Sequence, residues 1–176
     1  MQIIFLKECL RACRYHGIHT CVKSALNVPA VHLIQTLPLI DLIIFDLKVM
    51  DNENHILMTG KSNRRILENA TLIAETNQPM VIRIPIVPGH NDNNENIVAT
   101  AEFIRKRLGH NVRQVQLLRY RPLGEEKYAS LGMEYPMASA PLPPRAESES
   151  RIAALAELMT DMGVPAVAGT TTPFHQ

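Results

Sequence analysis

The chain has 176 residues, of which 46% are hydrophobic, and a formal net charge of +1. That length suffices for one sizeable core, and the balanced charge leaves no basic surplus for nucleic acid and no acidic tail. No apolar run approaches the roughly 18 residues of a membrane span, Met1 to Gly17 lacks a signal-peptide pattern, and an odd number of cysteines argues against a disulfide framework. The expectation is a soluble cytoplasmic protein that needs no membrane.

Residues 3–16 read as an amphipathic helix, with Ile3, Leu6, Leu10 and Cys13 along its apolar stripe and Gly17 stopping it. Cys9, Cys13 and His16 share a helical face and mimic metal-ligand spacing. Cys13 belongs to the core stripe, however, and an iron–sulfur site needs its cysteines on a loop that can wrap the iron. Ile18 to Ser24 follows as a β-branched strand, then a short helical stretch over Val28 to Leu39 bounded by Pro29 and Pro38. Leu42 to Phe45 is an unbroken apolar run, as in a strand buried on both faces of a parallel sheet.

A polar turn over Asp51 to Asn54 opens a short helix ended by Gly60, and Ser62 is expected to cap the next, which keeps Ile66, Ala70 and Ile73 on one face. Pro79 to Val87 is a buried strand with one charge, Arg83, in its middle. The loop His90 to Glu95 leads into a helix with Ile97, Ala101, Ile104 and Leu108 inward, and Val112 to Tyr120 is a fourth strand. Residues 136–146 hold four prolines and read as an extended surface arm. A last helix spans about Ser148 to Met162, and the tail over 169–176 is expected to fray.

Strands alternating with helices mean parallel βαβ units with right-handed crossovers. The fold class is therefore α/β, in a single domain over 1–176. Four strands make too short an arc to close a barrel, and the first would be an unpaired edge. The chain is thus expected to be the later part of a larger α/β domain. Asp46 and Lys48 stand two apart at the C-terminal end of the central strand, where period two points both to one face and where ligands bind in α/β folds. The alternative at this point is a solvated ion pair at a strand end.

Five motifs then occur in series: Gly17-Ile18-His19-Thr20-Cys21, Asp46-Leu47-Lys48, Ile82-Arg83-Ile84-Pro85-Ile86-Val87-Pro88-Gly89-His90-Asn91-Asp92, Leu117 to Gly124, and Lys127-Tyr128 through Leu131-Gly132. Together they resemble the glycyl-radical-enzyme activating enzymes of the radical S-adenosylmethionine superfamily, of which pyruvate formate-lyase activase is the best-known member. The resemblance runs to about residue 165. It implies a partial (β/α)6 TIM-like barrel of which this chain keeps about four strands, begun after the CxxxCxxC and Gly-Gly-Glu-Pro segments. It also implies an oxidoreductase chemistry. A reduced [4Fe–4S] cluster cleaves S-adenosylmethionine, and the 5′-deoxyadenosyl radical removes hydrogen from a backbone glycine of a partner glycyl radical enzyme. Flavodoxin or ferredoxin would serve as electron donor.

The resemblance places Asp46 and Lys48 at the S-adenosylmethionine site, facing ribose and carboxylate, and matches Arg83 to an arginine that contacts the same ligand. A core ion pair with Asp46 is the structural alternative for Arg83, since a buried charge needs a partner. Lys23-Ser24 stands where the activase has Asp-Thr, whose aspartate helps bind a monovalent cation. The Lys23 ammonium would replace that ion and pair with Asp46, unless it turns to solvent. Arg121 stands at a histidine position and could stack on adenine. Cys9, Cys13 and Cys21 fall in the wrong elements for the cluster, so the chain alone is expected to be inactive. His19, His32, His55 and His90 suggest no zinc site; His55 matches a family position expected to be structural or at the partner surface. Two rival readings are a non-catalytic remnant that docks a glycyl radical enzyme, and a (β/α) barrel enzyme using Lys48 as a Schiff-base nucleophile.

Overall fold

A computed structural model describes residues 2–170. Its elements are helix α1 (Ile3–Tyr15), strand β1 (Cys21–Ser24), α2 (Ala30–Thr36), β2 (Leu42–Asp46), α3 (Asn52–Thr59), α4 (Arg64–Glu75), β3 (Met80–Ile86), α5 (Asn94–Phe103), β4 (Val112–Arg119), α6 (Glu125–Ser130), α7 (Arg145–Asp161) and β5 (Ala166–Ala168). The five strands form one sheet in the order β1-β2-β3-β4-β5, every neighbouring pair parallel. Parallel neighbours in chain order need right-handed crossovers, which carry the packing helices α2, α4, α5 and α7 to one side.

Period two divides the strands accordingly. Ile43, Phe45 and Leu47, then Met80, Ile82, Ile84 and Ile86, then Val115 and Leu117 join one core with Leu33 of α2, Ile66, Ala70 and Ile73 of α4, Ile97 and Ala101 of α5, and Ile152 and Leu155 of α7. The intervening residues, Ile44, Asp46, Val81, Arg83, Gln114 and Gln116, lie outside that cluster and face away from the helices.

Helix ends follow local chemistry. Asp51 caps α3 by accepting from the Asn54 N–H at 2.8 Å, and Gly60, with φ of 72°, closes it in the left-handed region. Asn93 caps α5 in the same way through Asn96. Ser62 is not the cap of α4; Asn63 holds that position, while the Ser62 hydroxyl accepts from the Arg64 N–H and donates to Asn52 Oδ1 at 2.6 Å. The strand expected from Ile18 begins only at Cys21, because Thr20 is diverted. Its N–H and hydroxyl both donate to Asp41 Oδ2, at 2.7 and 2.9 Å.

Two elements have no counterpart in the sequence pattern. Helix α6 follows Gly124, where an added Cβ would stand 3.0 Å from the Tyr135 ring. Strand β5 is three residues long and pairs Val115 with Ala166, between a bond from the Val115 N–H to the Pro165 carbonyl and one from the Gly169 N–H to Leu117. Residues 136–144 form turns without helix or strand, and α7 begins at Arg145. Of the expected tail, residues 171–176 lie outside the described residues.

The chain after β2 is fixed by three buried asparagines. Asn91 donates to the carbonyls of Lys48 and Pro85, each at 2.8 Å, and accepts from the Val87 N–H at 2.7 Å. Asn96 accepts from the Met50 N–H at 2.9 Å, and Asn63 donates to Val49 and Met50. Asn91→Ala would strand two carbonyls and one N–H in the interior. We expect it to lower stability by roughly 2–4 kcal/mol in urea unfolding, against no more than about 0.5 kcal/mol for Asn54→Ala on the surface.

The two Thr20 bonds to Asp41 hold its carboxyl below the usual carboxylate range, the backbone bond contributing most. Its folded pKa is therefore depressed, so its contribution to stability is complete above the ordinary carboxylate pKa and is lost as pH falls through the lowered folded value. Asp41→Asn should flatten the acid limb of a stability profile below about pH 4, measured by urea midpoint at each pH.

Candidate functional site

Asp46, Arg83 and Gln116 are successive register partners across β2, β3 and β4, and so form a row on the face away from the helices. Lys23, Ile44, Val81 and Gln114 form the row one step toward the strand starts. Strand β1 has no neighbour beyond β2 among the described residues, which leaves Lys23 able to lean across. Its Nζ lies 3.8 Å from Asp46 Oδ1, with the lysine side chain 54% exposed and the aspartate 22%. That distance is an ion pair, not a hydrogen bond, and Asp46 Oδ1 is a buried oxygen with no hydrogen-bond partner among the described residues.

Arg83 is not paired with Asp46, so the core ion pair expected as its structural alternative does not form. Its Nε donates to Gln116 Oε1 at 3.0 Å, and Gln116 Nε2 donates to Gln114 Oε1 at 2.7 Å. Both glutamines are buried. Burial pushes the Cys21 thiol up, while the Arg83 charge acts against that rise, so the guanidinium field reaches the edge strand. The glutamines do not stand out from sequence, although alternating amides in the apolar run VRQVQLL are the signal that one strand face is polar.

Lys48 follows β2 by two residues and is exposed, its carbonyl held by Asn91 and Asn96. A Schiff-base lysine works from a dry pocket, whereas Lys48 is exposed. Ser24 lies on the strand face opposite Lys23, where its hydroxyl accepts from the Leu26 N–H at 3.0 Å. Arg121 is exposed two residues beyond β4, lining a groove of about 750 Å³ with Pro85, Leu118, Arg145 and Thr170. The structure thus brings Lys23, Asp46 and Arg83 together, sets Lys48 at the same strand end, and puts Ser24 and Arg121 elsewhere.

A ligand with hydroxyls and a carboxylate fits this set, because the orphaned Asp46 oxygen can accept and the nearby cations can donate. A [4Fe–4S] cluster does not fit. Cys9 and Cys13 sit along α1 and Cys21 on β1, and among the described residues no three His, Cys, Asp or Glu side chains are grouped to hold a metal. His55 is buried, with Nδ1 donating to the Lys61 carbonyl at 2.7 Å, so it ties down the end of α3. No helix among the described residues is long and apolar enough to cross a membrane.

Comparison with known proteins places these residues in a family. No family model matches the chain. It is 40% identical over 170 residues to the (2S)-3-sulfopropanediol dehydratase activating enzyme of Klebsiella oxytoca, a match covering 97% of this chain and 53% of that protein. It is 35% identical over 161 residues to the pyruvate formate-lyase 1-activating enzyme of Escherichia coli K12, covering 89% and 63%. Among solved structures, a domain of pyruvate-formate lyase-activating enzyme from Bacteroides vulgatus superposes with a TM-score of 0.76 at 27% identity, covering 96% of this chain and 91% of that one. Streptococcus suis SuiB bound to S-adenosylmethionine shares the fold alone, with a TM-score of 0.67 at 12% identity over 93% of this chain and 36% of that one. The chain spans about half the length of the curated relatives it matches, and in that span it belongs to the glycyl-radical-enzyme activating enzymes and carries their radical S-adenosylmethionine fold.

Proposed function

We propose that this chain supplies the S-adenosylmethionine-orienting part of a glycyl-radical-enzyme activase. The observation that carries the proposal is the buried Asp46 Oδ1, without a hydrogen-bond partner among the described residues and set between Lys23 and Arg83 at the strand end that precedes Lys48. Asp46 accepts from the ribose hydroxyls, Lys48 donates to the ligand carboxylate, and the Arg83 guanidinium faces the ligand from the neighbouring strand. Lys23 stands beside Asp46 as a fixed positive charge, in the role a bound monovalent cation would otherwise fill. Arg121 borders the groove beyond β4, from which its planar group can stack on the adenine if the ligand extends that way.

In the complete reaction a [4Fe–4S] cluster would supply the electron for cleavage of the sulfonium, and a partner glycyl radical enzyme would supply the glycine that gives up hydrogen. The residues of this chain do not fit the cluster, so its own share is binding, orientation and exclusion of water. Flavodoxin or ferredoxin and the glycyl radical enzyme are the partners of that complete reaction.

Titrating the 15N-labelled chain with S-adenosylmethionine should shift the backbone resonances of Asp46, Lys48 and Arg83. Asp46→Asn should weaken binding on the order of tenfold, as for loss of one charge-assisted hydrogen bond. Exchanging potassium for choline in the buffer should leave the wild-type affinity unchanged, because Lys23 already occupies the cation's place. Shifts confined to other surfaces would sink the assignment, and a potassium requirement would remove the role assigned to Lys23.

Anaerobic reconstitution with iron, sulfide and dithionite provides a separate check. The chain alone should show cluster absorbance far below stoichiometric and no 5′-deoxyadenosine. Near-stoichiometric cluster with turnover would mean that this chain supplies the electron as well as orienting the ligand, and would overturn the proposal.

A further inference from the structure

Arg83 and Asp46 are register partners on adjacent strands, roughly 4.8 Å apart at the backbone. A guanidinium and a carboxylate so placed form a bidentate pair by default, since each then desolvates against an opposite charge. Here they do not. The Arg83 Nε–H is taken by Gln116 Oε1 at 3.0 Å on the other side, and Gln116 is itself oriented by donating to Gln114 Oε1 at 2.7 Å. Both amides are buried, 5% and 3% exposed, so neither has water as a substitute partner. Because the Gln116 Nε2–H is engaged by Gln114, its carbonyl oxygen is the atom turned to Arg83, which fixes the amide orientation. Arg83 shows no other hydrogen bond among the described residues, so its terminal N–H groups stay unclaimed while its plane is set by β4.

We propose that Gln116 is a positioning residue that draws Arg83 toward β4, prevents its closure on Asp46, and so keeps both charges open to the ligand. This rests on the S-adenosylmethionine reading of the site for the identity of the ligand, but not for the hold on Arg83. Without Gln116 the row Asp46–Arg83–Gln116 collapses to an internal ion pair, and an incoming ligand must break that pair before it can bind. The buried amide ladder is thereby a device for holding two opposite charges side by side without their closing on each other.

The test uses the 15N-labelled chain with Q116M, which keeps the side-chain length but no hydrogen bond, Q116E, which keeps the acceptor, and the R83M single and R83M/Q116M double variants. Without ligand, the Arg83 Nε–H resonance, assigned by its loss in R83M, should exchange slowly with water in the wild type and in Q116E. In Q116M it should exchange at least tenfold faster. Equal exchange in wild type and Q116M would overturn the positioning role, whatever the ligand. With S-adenosylmethionine, Q116M should weaken affinity on the order of tenfold, and the double variant should bind no more weakly than R83M. Additive losses would overturn action through Arg83. Should Q116M fail to fold, the contrast between wild type and Q116E decides: faster exchange of the Arg83 Nε–H in Q116E, which keeps the acceptor, overturns the hold. A wild-type chain that gives no S-adenosylmethionine response overturns the ligand reading, while the exchange rates still decide whether Gln116 holds Arg83.

Discussion

Five parallel strands laid down in chain order place the helices that pack on them on one side of the sheet. That side is covered by the apolar faces of α2, α4, α5 and α7, and its strand residues are almost entirely Ile, Val, Leu, Phe and Met. Among the described residues, none of the helices of that core covers the opposite side. Polar groups there must satisfy one another, reach the rim, or be satisfied by a ligand. Lys23, Asp46, Arg83, Gln114 and Gln116 all occupy that side. The two amides and the Arg83 Nε–H are joined to one another, and Asp46 Oδ1 has no hydrogen-bond partner among the described residues. The location of the site is thus a consequence of one-sided crossovers combined with the two-residue period of a strand.

The relation to the activating enzymes fits this division. The matched span covers nearly all of this chain and about half of the sulfopropanediol dehydratase activase, and a solved domain of a related enzyme covers almost the same extent. The shared part carries the side chains to which the proposal gives binding and orientation, and Cys9, Cys13 and Cys21 are spread over a helix and an edge strand. On the proposed reading, ligand orientation and electron supply reside in different stretches of such proteins, so the orienting stretch can be studied for binding without redox chemistry.

Much of the fold was legible in the residues. The run LIIF is unbroken and apolar, the run VIRIPI is interrupted only by Arg83, and both have the length and β-branching of buried strands; they form most of β2 and β3. The helical stripe Ile66, Ala70, Ile73 is buried as its spacing required. The departures have physical causes. Strand β5 has three residues and follows a proline, too short to show a period. Strand β1 starts late because Thr20 is captured by Asp41, a contact between residues 21 apart that no local pattern encodes. Ser62 and Asn63 are both good caps, and Asn63 holds the position while spending its amide on Val49 and Met50. In the site, Asp46, Lys48 and Arg83 stood out as charges in apolar surroundings. Gln114 and Gln116 did not, because a neutral amide in a strand carries no such contrast until the neighbouring strand's register is known.

The asparagine at position 91 has a consequence for evolution and engineering. Its amide joins the carbonyl of Lys48 to that of Pro85, partners 43 and six residues away, so the turn after β2 and the turn after β3 are effectively one mechanical body. A turn after β3 that lacks the asparagine would release the Lys48 carbonyl even if every ligand-facing side chain were retained, whereas a turn after β2 of any sequence still offers a carbonyl to it.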